Sequence, residues 1–154
     1  MLMDRQSGIL AAPLWPHGDC SLMHLVRRAG QHSTTCWAQS VDTGLSAVQY
    51  AILVVLAEET SCDQQTLGLR AGFDKATGTY VIDRMCKSGL LTVQTDASNR
   101  RRKLVSMTHD GEALLALMIE QAKNAEKLIA ADLSSQDIAD LKRLLGKLVG
   151  VQAP

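Results

Sequence analysis

The most distinctive chemical feature of the chain is a run of four adjacent cationic side chains, Arg100 to Lys103. Neighbouring like charges repel one another, and bound phosphate groups are the simplest way to relieve that repulsion. Guanidinium groups crowded into a short turn also suit a narrow A·T-rich minor groove of a DNA duplex. The run therefore predicts a phosphate-bearing partner, whereas any one of these charges alone would be an ordinary solvated surface residue.

A second set of polar side chains shares one side of a helix that we predict from Asp74, its N-cap, to about Ser88, before Gly89. On the polar side lie Ala76, Tyr80, Asp83, Arg84 and Lys87, and on the apolar side lie Gly78, Val81, Ile82 and Met85. This spacing indicates a helix that buries one face and presents the other to a partner.

Two further elements are needed to position these groups. Asp63 is a cap for a preceding short helix, which Gly72 ends in a turn. After Gly89, the segments 90–94 and 103–107 are rich in aliphatic and β-branched residues, and a polar turn that carries the arginines joins them. Helix, turn, helix and a two-stranded wing predict a winged helix-turn-helix, mainly α with a small β-wing.

The order of these residues resembles the MarR family of bacterial transcription regulators. The matching positions are Asp74-Lys75-Ala76-Thr77, Asp83-Arg84, Lys87-Ser88-Gly89-Leu90, Asp96, Arg100-Arg101, Leu104-Val105, Thr108 and Gly111. With its flanking helices the resemblance covers about residues 20–150. The chain departs from the family pattern at Asn99, where an Asp is common, and at Tyr80, where an Arg is frequent.

This resemblance implies a DNA-binding regulator that represses from a palindromic promoter operator, and not an enzyme. The second helix would enter the major groove, with hydroxyl and methyl groups toward bases and cations toward phosphates. The DNA contacts expected are Lys75, Ala76, Thr77, Thr79, Tyr80, Arg84, Lys87, Arg100, Arg101, Arg102 and Lys103. Arg84 has an open alternative, an internal brace toward Asp96. A winged-helix module for protein contact alone is the alternative from another class, and it would not need the basic turn.

Apolar stripes flank the winged unit. One lies on the first predicted helix, at residues 20–41, and another lies on the last helix, from Ile138 to Val149. A capping box at Ser46 and Gln49 opens a helix that is apolar nearly all round, which predicts a central support for residues 45–107. We expect a loose arm at 1–18, then one domain at 19–154 in which 20–41 and 108–150 form a homodimer interface. The family resemblance implies the same dimer, while an arm that crosses to a second subunit stays open.

Composition limits the remaining possibilities. The chain has 16 basic and 16 acidic residues and a net charge of zero, but residues 83–103 hold six basic and two acidic side chains. Positive charge is therefore concentrated on the second helix and the wing, as a DNA-binding surface requires. The chain has no apolar run of about 18 residues, and its four cysteines form no close pair. We expect a cytoplasmic protein without membrane span, cofactor or catalytic constellation.

A small-molecule site is predicted on the first helix. His24, Arg28 and His32 recur every four residues, and Arg27 adjoins them. Arginine beside apolar walls suits an aromatic carboxylate effector, and we include Tyr50 in the same site. Two alternatives remain, a redox sensor through Cys20 or Cys36 and a metal sensor through Cys20, His24 and His32 with His17 nearby; polar residues of a dimer interface would also explain the pattern.

Overall fold

The computed structural model describes residues 21–151. The predicted 1–18 arm, His17 and Cys20 lie outside these residues. The elements in chain order are α1 (Leu22–Ser40), α2 (Ala47–Glu59), β1 (Ser61–Asp63), α3 (Gln64–Ala71), α4 (Lys75–Lys87), β2 (Leu91–Thr95), β3 (Lys103–Met107), α5 (His109–Ile129) and α6 (Ser135–Val149). A mainly helical chain with a small antiparallel wing confirms the predicted winged helix-turn-helix.

The described chain divides into two compact units, each considered by itself. One comprises residues 21–36 and 131–151, and the other runs from Trp37 to Ala130. The second unit contains the winged helix-turn-helix. Among the residues described, no helix is both long enough and apolar enough to cross a membrane.

Helix α2 is the central support of the second unit, as its all-round apolar character predicts. Ser46 and Gln49 form the expected capping box, in which each side chain binds the other residue's backbone N–H. Ile52, Leu53 and Leu56 are almost completely buried. They share one core with apolar side chains from α3, α4 and the sheet, so the helix-turn-helix is anchored on α2.

The helix-turn-helix pair begins and ends where the caps predict. Asp63 accepts a 2.8 Å hydrogen bond from the Thr66 N–H, and Asp74 accepts one of 2.7 Å from the Thr77 N–H. Between the helices, Gly72 adopts a left-handed conformation. Gly78 lets the Phe73 ring lie against α4, since a Cβ there would come within 2.3 Å of the ring. The two helices consequently pack more closely than a larger residue would permit.

The wing belongs to an antiparallel sheet of three strands in the order β1-β3-β2. Val105 pairs with Cys62 on one side and with Val93 on the other. Strand β1 was not predicted, because three residues give no detectable alternation. Its pairing places Asp63, the cap of α3, beside the base of the wing.

Helices α4 and α5 meet at one tightly packed junction. The Thr108 hydroxyl donates to the Gly89 carbonyl at 2.6 Å, and the Thr108 N–H donates to the Leu90 carbonyl at 3.0 Å. Thr108 also caps α5 by accepting from the Gly111 N–H. A Cβ at Gly111 would lie 2.4 Å from the Leu90 carbonyl oxygen, so glycine is required at this position.

The apolar stripes of the terminal helices are exposed within a single chain. In α6 no residue is buried, and Leu144 and Leu148 are 54% and 55% exposed. In α1, Leu22 and Met23 are 66% and 78% exposed, and Cys36 is the buried residue of that helix. The apolar stripe predicted within residues 20–41 is thus not covered inside one chain.

Candidate DNA-binding surface

The outer face of α4 presents the polar groups that its sequence predicts. Ala76, Thr77 and Tyr80 are exposed, the last by 62%. Arg84 lies over the Tyr80 ring, 5.6 Å from its centroid, and donates a 3.1 Å hydrogen bond to the Tyr80 hydroxyl. Tyr80 therefore orients Arg84 on the surface, and the brace to Asp96 that was the alternative for Arg84 is made by another residue.

That residue is Arg102, which ties the wing to the start of α3. Its guanidinium lies 2.8 Å from the Asp63 carboxylate and 3.6 Å from that of Asp96. The Thr66 N–H, and then Arg102, hold the pKa of Asp63 below its ordinary value. Arg102 has a bracing position that sequence patterns did not indicate, because Asp63 is distant in the chain; its predicted DNA contact stays a prediction.

The tip of the wing is shaped by two side chains that bind their own backbone. Asp96 accepts from the Ser98 N–H and hydroxyl, which lowers the pKa of Asp96, and Asn99 accepts from the Arg101 N–H. Asn99 thus shapes the turn with an amide where the family commonly has an Asp. Arg100, Arg101 and Lys103 have no acidic partner among the described residues.

The two lysines of α4, Lys75 and Lys87, differ in whether they pair with an acidic side chain. Lys87 lies 2.7 Å from the Asp83 carboxylate, which raises the pKa of Lys87. Lys75, in the first turn, forms no ion pair within residues 21–151. Apart from Arg84, which is bound to Tyr80, the cations of α4 and the wing without an acidic partner consequently lie at the start of α4 and at the wing tip.

Two adjoining grooves lie beside the start of α3. One runs between α3 and α4, and the other between α3 and the wing. The first has a volume of about 570 Å³ and is lined by Gln64, Gln65, Gly68, Leu69, Phe73, Asp74, Lys75 and Thr79. The second, of about 510 Å³, is lined by Asp63, Gln64, Gln65, Asn99, Arg101, Arg102 and Lys103. Gln64 and Gln65 line both. Amide and cationic groups along a continuous surface are suited to hydrogen bonding with phosphate oxygens.

Thr79, a predicted DNA contact, has internal hydrogen bonds. Its hydroxyl donates to the Lys75 carbonyl at 3.0 Å and accepts from the Gln64 side-chain amide, also at 3.0 Å. Gln64 was not predicted, since no periodicity distinguishes it from the exposed Gln65 beside it. The role of Gln64 becomes evident only from its hydrogen bond with Thr79 on the other helix.

The predicted effector residues fall into two groups. On α1, Arg27 contacts the His24 ring at 3.1 Å and the Gln31 amide at 3.3 Å. His32 lies 3.6 Å from the Cys36 thiol. Arg28 is exposed and has no side-chain hydrogen bond or ion pair among residues 21–151.

Tyr50 belongs to the other compact unit. Its ring centroid lies 5.4 Å from that of Trp37, whose indole N–H donates to the Leu45 carbonyl at 2.8 Å. The structure thus gives Tyr50 an aromatic neighbour, and it assigns Tyr50 to a different unit from His24, Arg27, Arg28 and His32.

The described cysteines are mostly buried thiols. Cys36 and Cys62 are buried and Cys86 is half-buried. Burial raises the pKa of the Cys62 and Cys86 thiols. Within residues 21–151 no three His, Cys, Asp or Glu side chains are placed to hold a metal ion. The metal alternative also required Cys20 and His17, outside those residues.

A three-stranded wing beside a helix-turn-helix, with unpaired cations on both, defines the winged helix-turn-helix class of nucleic-acid-binding architecture. The model of the MarR family matches residues 45–103. The chain belongs to the MarR family, and its relatives are transcriptional regulators and not enzymes.

Three relatives illustrate this membership. The HTH-type transcriptional repressor NicR of Pseudomonas putida is 28% identical over 127 residues, which are 82% of this chain and 80% of NicR. A probable transcriptional regulator from Pseudomonas aeruginosa is 33% identical with a TM-score of 0.80, over 83% of this chain and 96% of the other. Bordetella bronchiseptica BpsR, whose DNA binding is regulated by 6-hydroxynicotinic acid, is 29% identical with a TM-score of 0.81, over 86% and 95%.

Proposed function

We propose that this protein is a homodimeric transcriptional repressor that binds a palindromic operator through α4 and the wing. The observation that carries the proposal is that Lys75 on α4 and Arg100, Arg101 and Lys103 on the wing form no ion pair among the described residues. Partnerless cations on a chain of zero net charge favour a localised phosphate contact. A partner on the chromosome also implies a cytoplasmic location.

The wing arginines test this proposal. Each of Arg100→Ala and Arg101→Ala should weaken DNA binding and lower the slope of log K against log salt by about one unit. The measurement is fluorescence anisotropy on a duplex that the wild-type protein enriches from a random-sequence pool, at several salt concentrations. Lys142→Ala on α6 is the control and should leave the slope unchanged.

Unchanged affinity and slope in both arginine variants would remove the wing from the interface. A wild-type protein that enriches no duplex would favour the alternative, a winged-helix module used for protein contact.

Dimerisation is supported by the exposed stripes of α1 and α6. A helix with Leu141, Leu144, Leu145 and Leu148 between 44% and 55% exposed is costly to leave in water. An isologous pairing with a second copy would cover such a stripe and match a two-fold operator. We therefore assign both terminal helices to the dimer interface.

For the effector we propose an aromatic carboxylate that contacts Arg28 and lowers DNA affinity. Arg28 has no internal partner to give up, unlike Arg27, and a guanidinium binds a carboxylate through two parallel hydrogen bonds. BpsR, a relative over 86% of this chain, responds to 6-hydroxynicotinic acid. We place His24, Arg27 and His32 in the same proposed site.

The effector proposal predicts release of bound DNA by a small acid. A coupling of about 1–3 kcal/mol, or roughly 5- to 150-fold in affinity, is ordinary for such a switch. The wild-type complex would be titrated with 6-hydroxynicotinate, nicotinate, benzoate and salicylate. Arg28→Ala should bind DNA normally and lose the response, while the control Arg143→Ala should keep it.

If no acid shifts binding at millimolar concentration, and peroxide or zinc does, the cysteine or metal alternative replaces the acid. The DNA-binding proposal would survive that result, because the two experiments use different readouts.

A further inference from the structure

We infer that Gln64 is a positioning and specificity-determining residue, which holds the first turn of α4 against α3 and withholds the Thr79 hydroxyl from DNA bases. The inference rests on the proposed function, because it concerns the same DNA-binding surface. It adds a residue that neither the sequence pattern nor the cationic groups indicate.

Three hydrogen bonds form a closed set between the two helices. The Gln64 side-chain amide nitrogen donates to the Thr79 hydroxyl at 3.0 Å and lies 3.4 Å from the Lys75 carbonyl oxygen. The Thr79 hydroxyl donates to the same Lys75 carbonyl at 3.0 Å. One amide therefore links the beginning of α3 to two successive turns of α4.

The packing below these bonds leaves α4 little freedom to move. Gly78 faces α3, where a Cβ would lie 2.3 Å from the Phe73 ring and 3.4 Å from the Gln64 amide nitrogen. Gly68, on α3, has the same ring 3.0 Å from its own Cβ position. The Phe73 ring separates the two glycines, and Gln64 closes the exposed edge of this contact.

Thr79 is exposed, but its single hydroxyl proton is already donated. A threonine in a helix divides between two rotamers, one of which binds the carbonyl four residues earlier. The Gln64 amide stabilises that rotamer, because it donates to the Thr79 hydroxyl oxygen while the hydroxyl itself donates to the Lys75 carbonyl. Without Gln64, Thr79 would be released to turn its hydroxyl toward a base edge, and α4 would lose a link to α3.

The test separates positioning from phosphate contact. Gln64→Met keeps the side-chain length and removes the amide, and Asp63 still caps α3. Binding is measured on the duplex that the wild-type protein enriches from a random pool, and on a random duplex of equal length. The ratio of the two affinities should fall about two- to tenfold, the range for one net hydrogen bond. The salt slope should not change.

Gln65→Met is the matched control, since Gln65 is the exposed neighbour and makes no side-chain hydrogen bond among the described residues. It should leave the ratio unchanged, because a contact of Gln65 with a phosphate oxygen would contribute equally to both duplexes. In a Thr79→Val background, Gln64→Met should have little further effect, because the two residues act through one interaction.

Three results would overturn the inference. They are an unchanged ratio, an equal loss of affinity on both duplexes, which indicates a phosphate contact by the neutral amide, and additive effects of Gln64→Met and Thr79→Val. A wild-type protein without preference between duplexes would instead refute the proposed function, and this inference with it.

Discussion

At the scale of single residues, Thr60 has a backbone conformation that a β-branched side chain rarely adopts. It ends α2 with a φ of 64° and a ψ of −50°, and it is the residue other than glycine with positive φ among those described. Such strain costs about 1–3 kcal/mol. Its N–H donates to the Leu56 carbonyl, a bond that needs no side chain.

Thr60→Gly should therefore raise the thermal midpoint, because glycine adopts positive φ without steric cost. We expect a gain of about 2–4 °C for each kcal/mol recovered, measured by circular dichroism on melting. Thr43→Gly is the control, since Thr43 has negative φ, and it should lower the midpoint. A lower midpoint for Thr60→Gly as well would show that the conformation is unstrained.

Asp63 connects a helix cap with the wing, and substitution separates these two roles. Asn caps helices about as well as Asp, so Asp63→Asn removes mainly the ion pair with Arg102. The pair lowers the pKa of Asp63 when folded, so its stabilisation is present above the unfolded pKa of about 3.9 and is lost as pH falls through the folded value.

The wild-type melting midpoint should thus exceed that of Asp63→Asn at pH 7, by an amount ordinary for an exposed pair. The difference should close as pH falls below about 4. Melting curves of both proteins from pH 7 to pH 2.5 measure this, with Arg101→Ala as a control that tracks the wild type. A difference that persists at the lowest pH would assign the effect to the cap.

At the scale of elements, most boundaries follow from local chemistry. Ser46, Asp63 and Asp74 cap their helices as the sequence predicts. What escaped prediction depends on contacts between distant segments. Strand β1 is too short to show a period, and the Arg102–Asp63 and Gln64–Thr79 contacts join residues 39 and 15 positions apart.

The junction of α4 and α5 gives a prediction about one glycine. Gly111→Ala would bring a methyl group to within 2.4 Å of the Leu90 carbonyl, which is backbone and has little room to yield. We expect a loss of about 1–3 kcal/mol, as for overpacking of a core. Chemical denaturation provides the free energy of unfolding.

Gly30→Ala provides the contrast, because nothing in the described structure lies within 4 Å of that Cβ position. Removing a glycine from a helix interior should stabilise α1 by about 1 kcal/mol. Equal effects of the two substitutions would mean that the junction is looser than the structure indicates.

At the scale of the whole molecule, the exposed stripe of α6 implies a second copy. Leu144→Glu with Leu148→Glu places two charges in the proposed interface, where they would be buried without partners. Sedimentation should then show a monomer or aggregate, and the melting midpoint should lose its dependence on protein concentration. The control pair Arg143→Glu and Lys147→Glu changes charge on the same helix and should remain dimeric.

A compact dimer for the leucine variant would assign dimerisation elsewhere. The stripes themselves were evident from the sequence, as was the need for a cover. The spacing of the apolar residues did not show that both stripes stay exposed to solvent in a single folded chain. Periodicity identifies an apolar face, but it does not identify what packs against that face.

The junction at Thr108 also has a mechanical consequence. Helix α5 has 21 residues and is therefore about 31 Å long, and the hydrogen bonds of Thr108 fix its first turn beside the end of α4, so that a rotation of the helix would have its pivot there. A rotation of about 5° at that pivot would move the far end by about 3 Å, from rod length alone. Conversely, a small displacement at Ile129 becomes a change of angle beside Gly89, where no flexible loop absorbs it.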